Sequence, residues 1–152
     1  MTTASATENE TRSARPELTA ALIERTGLDD GLLTGLVYRF YAKVRADDAL
    51  GPIFAERITD WPPHLERMAA FWSSVALMTG RYHGRPMPKH AVLPVTWDHY
   101  ERWLSLFRET AQETCPPKGA SHLIDCAERI ARSLFMAGQA ARQEVSLTPP
   151  LR

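Results

Sequence analysis

The chain has 152 residues, enough for one domain with a buried core, and its 18 lysines and arginines balance its 18 aspartates and glutamates. Without a basic excess nothing concentrates it on nucleic-acid phosphates or anionic lipid, so neither nucleic acid nor a membrane is expected as a partner. The polar first dozen residues lack the apolar core of a signal peptide and no apolar run is long enough to span a bilayer, which gives the expectation of a cytoplasmic protein.

Residues 1–16 are rich in Thr, Ser, Ala and charge without apolar periodicity, and read as a flexible tail. The folded domain is expected over 17–143, with 144–152 as a frayed end. A short helix is expected from Leu18 to Arg25, ended by Thr26-Gly27. Leu33, Leu36, Val37, Phe40, Tyr41 and Val44 then recur at i, i+3, i+4, i+7, i+8 and i+11, the apolar stripe of a second helix. Gly51-Pro52 breaks that pattern with a corner.

The next helix is expected to begin near Pro62 or Pro63, because the first helical position does not need the N–H that proline lacks. One face of it carries His64, Met68, Phe71, Trp72 and Val75. Between 80 and 96, Gly80, Gly84, Pro86, Pro88 and Pro94 prevent a long regular helix. Two further amphipathic faces follow: Tyr100, Trp103, Leu104, Phe107 and Ala111, then Leu123, Ala127, Ile130, Leu134 and Phe135. No strand alternation, internal repeat or Gly-rich phosphate loop is apparent, so the fold class is all-α. Cys115 and Cys126 fit neither a disulfide framework nor a zinc motif and read as reduced thiols.

Two histidines carry the chemistry. His64 opens an apolar helical face, and His90 lies in Pro86-Met87-Pro88-Lys89-His90-Ala91-Val92-Leu93, a proline-bounded lipophilic segment. Such an arrangement suits a flat, apolar, metal-bearing ligand such as haem, whose iron takes a neutral imidazole and whose opposite side needs a few hydrogen-bond donors. On the residues alone, other readings stand beside it. His90 fits a surface loop and His64 fits a solvent-facing first turn. Tyr41 and Trp103 fit a core in which the hydroxyl and the indole N–H find backbone partners.

The order of these motifs resembles the group III truncated haemoglobins. Phe40-Tyr41 through Leu50-Gly51-Pro52-Ile53-Phe54 is similar to that group's B helix and CD corner, and Trp61-Pro62-Pro63-His64 to the start of its E helix. Phe71-Trp72, Thr79-Gly80-Arg81-Tyr82, Pro86 and His90 follow in its order, and Trp103-Leu104-Ser105-Leu106-Phe107 is similar to its G helix. The likeness spans about residues 30–140, and the double-glycine motifs of the other truncated groups are not apparent.

The resemblance implies a two-over-two helical sandwich in which helices B and E face G and H around haem b. It implies His90 as the proximal iron ligand and Phe54, Met68, Trp72, Met87, Leu93 and Phe107 as cofactor contacts. Tyr41 and Trp103 would donate distal hydrogen bonds, and His64 would bond the ligand or, as expected here, gate the pocket with its inward form a minority. Arg81, Tyr82 and Lys89 can donate to haem propionates or stay solvated. The implied activity is binding of dioxygen and related small ligands: carbon monoxide, nitric oxide and peroxide. A peroxidase or nitric oxide dioxygenase, dependent on an external reductase, is the alternative, and a haem-free helical interaction protein is a third reading.

Overall fold

A computed structural model describes residues 15–84 and 95–147, and the regular structure among the described residues is all α-helix. Helix α1, Pro16–Thr26, ends where Gly27 adopts a left-handed φ of 71° and its N–H bonds the Ile23 carbonyl. Helix α2, Asp30–Ala46, starts from Asp29, whose side chain accepts the Leu32 N–H at 2.8 Å. All six residues of the expected stripe are buried on α2.

Where the sequence suggested only a corner, Gly51–Arg57 form a short helix, α3. The Gly-Pro pair that cannot continue α2 is well suited to begin the next helix, since Pro52 falls in its first turn. Helix α4, Trp61–Leu77, also opens on prolines and closes at Met78, which takes a left-handed φ of 58°. Helix α5 spans Trp97–Thr114 and helix α6 spans Pro117–Leu147, running past the expected domain end at 143. Both cysteines are free, Cys115 at the end of α5 and Cys126 buried on α6.

Helix α2 packs on α4 and α5, α5 on α6, and α4 on α6, which closes a ring of four helices. Helix α1 braces α4 and α6 from outside, and α3 rests on α2. This is the two-over-two sandwich. Four aromatic rings meet at its centre, three of them stacked as a column. Trp103 lies parallel to Phe107 at 5.7 Å, Phe107 stacks on Trp72 at 4.7 Å, and Phe40 meets Phe107 edge-on at 5.2 Å. The column joins α5 to α4 and leaves Trp103 at the margin of the core rather than inside it.

Two tight joints fix the helix ends. A Cβ on Gly119 would lie 2.7 Å from Leu28 Cδ2 and 2.8 Å from the Thr26 carbonyl oxygen, so only glycine lets α6 pass this close to the link between α1 and α2. At the other joint, Asp47 Oδ2 accepts the N–H groups of Leu50 and Ala49 at 2.9 and 3.1 Å, while Oδ1 accepts Arg102 Nε at 2.7 Å. Burial alone would raise the Asp47 pKa. The Leu50 and Ala49 amides and the Arg102 guanidinium outweigh it and hold the carboxyl below its ordinary range.

Candidate functional site

The ring of helices encloses a cavity of about 490 Å³, within the range of cofactor-sized sites. Its walls come from every main element: Tyr41 from α2, Ile53 and Phe54 from α3, Met68 and Trp72 from α4, Tyr100 and Trp103 from α5, and Ile130 and Leu134 from α6. Of the residues singled out in the sequence, Phe54, Met68, Trp72, Tyr82, Tyr41, His64 and Trp103 all line this one space.

Others are placed elsewhere. Phe107 is fully buried behind Trp103 and Trp72 and is not among the lining residues, because its ring is the middle member of the stacked column. Arg81 turns away to Asp30, with Nη2 3.0 Å from the carboxylate. Met87, Lys89, His90 and Leu93 lie outside the described residues. The chain on either side of that segment reaches the cavity, since both Tyr82 and Val95 contribute to its wall.

The polar side of the cavity is built from aromatic contacts. Tyr41 is 5% exposed, and its ring meets Phe54, Trp61 and His64 at 6.0, 5.9 and 5.4 Å. Burial pushes the phenol far above its ordinary pKa, so Tyr41 keeps its hydrogen and can donate it. The His64 imidazole stands at right angles to both Tyr41 and Trp61, and the Arg45 guanidinium covers the outer face of that assembly, 4.5 Å from the Trp61 ring. His64 thus lines the cavity with its ring packed against Tyr41 and Trp61.

A second histidine, His99, reaches the cavity. His99 Nδ1 accepts the backbone N–H of Thr96 at 3.0 Å and caps the start of α5. An accepting Nδ1 places the ring hydrogen on Nε2, so His99 offers a donor and not a metal-binding lone pair. Arg57 and Arg67 also line the cavity, and neither makes an ion pair among the described residues. Arg67 was within reach of sequence reasoning, since it follows His64 by three residues on the same helix. Arg57 and His99 carried no such signal. One depends on α3, and the other on where α5 begins.

Comparison with known proteins agrees with this architecture. A family model described as bacterial-like globin matches residues 21–136. A group 3 truncated haemoglobin of Campylobacter jejuni subsp. jejuni serotype O:2 is 41% identical over 76 residues, covering 47% of this chain; the match spans 60% of that relative's length. The crystal structure of a group III truncated haemoglobin from Campylobacter jejuni superposes with a TM-score of 0.68 at 32% identity, covering 72% of this chain and 90% of that one.

Proposed function

Because the chain belongs to the bacterial-like globin family, among its group III truncated haemoglobins, we propose that it is a haem protein binding dioxygen and related diatomic ligands. The observation that carries this reading is the cavity of about 490 Å³, walled by aromatic and aliphatic side chains and supplied with a small set of hydrogen-bond donors.

The residues present fit the group. Phe54, Met68, Phe71 and Trp72 would hold a flat macrocycle, and Arg57, Arg67 and the Nε2–H of His99 would meet its carboxylates. Haem b, held without a covalent link, suits a chain whose two cysteines form no C-x-x-C-H arrangement. His90 would hold the iron, a role supported by the way Tyr82 and Val95 bring the chain to the cavity on both sides of that segment. The other histidines have different engagements. His99 presents a hydrogen, His122 Nε2 lies 2.9 Å from the Ala76 carbonyl oxygen, His83 is exposed, and His64 packs on Tyr41.

Haem, when bound, supplies an iron with an open coordination position for a small ligand. The protein supplies the rest. Tyr41 and Trp103 each donate one hydrogen toward a bound ligand, and His64 stands beside Tyr41 where it controls access or adds a third donor. Turnover of peroxide or nitric oxide would require electrons from a reductase, whereas ligand binding needs only these residues. No helix among the described residues is long and apolar enough to cross a membrane.

A visible spectrum of the purified protein, reconstituted with hemin and reduced, tests the reading. A Soret band that shifts on adding carbon monoxide is expected, and failure to take up haem overturns it. His90→Ala should lose haem or regain it with added imidazole. An unchanged spectrum in that variant would assign the iron to another histidine.

A further inference from the structure

We propose that Ser73, Thr79, Asp30 and Arg81 form a positioning cluster that fixes Tyr82 as a wall of the cavity and thereby sets how fast the cofactor escapes. The inference rests on the haem reading above. It begins from a buried polar group: Ser73 on α4 is 1% exposed, yet its side chain faces two others. Its Oγ lies 2.8 Å from Asp30 Oδ1 and 2.6 Å from Thr79 Oγ1. A carboxylate only accepts, so Ser73 gives its one hydrogen to Asp30, and Thr79 must be the donor in the second contact. Arg81 Nη2 closes on the other Asp30 oxygen at 3.0 Å.

Every hydrogen in the cluster thus runs toward Asp30, which stands in the first turn of α2, where the helix dipole favours a negative charge. The Asp30–Arg81 pair is open to solvent, at 41% and 46% side-chain exposure, and such pairs contribute little stability. What the cluster gives is direction. Met78 at φ 58° and Gly80 at φ 74° turn the chain back, and the cluster draws residues 79–81 onto α4 and α2.

Tyr82 is the residue that this fold-back delivers. Its backbone N–H donates to Ser74 Oγ at 2.8 Å, one residue along α4 from the cluster's centre. Its ring then meets Phe71 edge-on at 5.1 Å, and both rings line the cavity. On the far side, a Cβ at Gly84 would collide with the Tyr82 hydroxyl and ring, so the chain passes directly over the phenol. Backbone, ring face and ring tip are each constrained.

The geometry can be read without haem by ¹⁹F NMR of protein carrying 3-fluorotyrosine, with the Tyr82 signal assigned from Tyr82→Phe. In Ser73→Ala that signal should move toward the position of exposed Tyr38. The consequence is read from the rate of haem transfer to an excess of a high-affinity haem acceptor. Ser73→Ala should accelerate loss by about two- to tenfold, the rate equivalent of one aromatic contact. The same substitution in a Tyr82→Leu background should change the rate by less than about twofold, because the effect passes through Tyr82. Thr79→Val should reproduce Ser73→Ala, and Thr79→Ser, which keeps the donor, should retain the wild-type rate. The Thr79 pair carries the test if Ser73→Ala does not fold. An unmoved ¹⁹F signal, or equal acceleration in both backgrounds, overturns the proposal. A ¹⁹F response in protein that takes up no haem overturns the haem reading and leaves the placement of Tyr82 standing.

Discussion

Tyr41 and Trp103 reach the cavity from different helices, and each can give one hydrogen to a small ligand there. Tyr41 does so from a buried site that keeps the phenol protonated, and Trp103 from the open end of a stack that holds its indole plane parallel to Phe107. On the haem reading, Tyr41→Phe and Trp103→Phe should each accelerate dioxygen dissociation by about one to two decades, the equivalent of a bond worth about 1.5–3 kcal/mol. Stopped-flow displacement by carbon monoxide measures this, and unaltered rates in both variants would mean the ligand is held by other groups. His64 is a different case. Its imidazole packs on Tyr41 and Trp61, so a ligand passing it must displace an ordered ring. His64→Ala should raise the association rate of carbon monoxide more than it changes dioxygen release, as followed by flash photolysis. The reverse pattern would make His64 a principal donor.

At the scale of the elements, the joints between helices decide where the cavity walls stand. Asp47 ends α2, caps the approach to α3 and bonds Arg102 of α5, so one carboxylate sets three helices against one another. Its pKa is lower in the folded chain than the ordinary 3.8, so folding favours its charged form. The stabilisation is therefore complete above about pH 4 and lost as pH falls through the folded value. Asp47→Asn should cost about 1 kcal/mol near pH 7. The difference in urea midpoint between variant and wild type should narrow below pH 3.8, the unfolded value. A gap that stays constant to pH 2 would show that charge plays no part in the joint. Helix α3 has the same dependence on its neighbours. At seven residues it is too short to show a periodic stripe, and its place follows from Pro52 at its start and from packing on α2.

For the molecule as a whole, four helices close around a space that their own side chains do not fill. Leu33, Phe40, Phe107, Leu123 and Ala127 of the core lie outside the lining of that space, while Tyr41, Trp72, Tyr100 and Leu134 belong to both. A ligand that fills the cavity and binds only the folded state must stabilise the fold by mass action. Haem at a hundredfold excess over its dissociation constant should contribute about 2.7 kcal/mol and raise the thermal midpoint by about 5–10 °C. Circular dichroism melts of the protein with and without haem measure it. A midpoint indifferent to haem would remove the cavity from consideration as its site.

The sequence by itself determined what local periodicity and turn chemistry can determine. The stripe from Leu33 to Val44 is buried residue for residue, Gly27 ends α1, and α4 begins on its prolines, because each depends on neighbours within one or two turns. The order of motifs was enough to point to the family and to bring Tyr41, Phe54, His64, Met68, Trp72, Tyr82 and Trp103 forward as a group. Tertiary structure decided which apolar residue faces the cavity and which the core. Phe107 and Trp103 share one face of α5, and only the ring of Trp72 stacked on Phe107 makes the first a core residue. It also decided that Arg81 answers Asp30, that His99 gives its Nδ1 to a cap, and that Ser73 meets a carboxylate 43 residues away. A helical period fixes which face of a segment is apolar and carries no record of what that face will meet. Contacts between distant segments are set by how the helices cross, and that is a property of the packed chain.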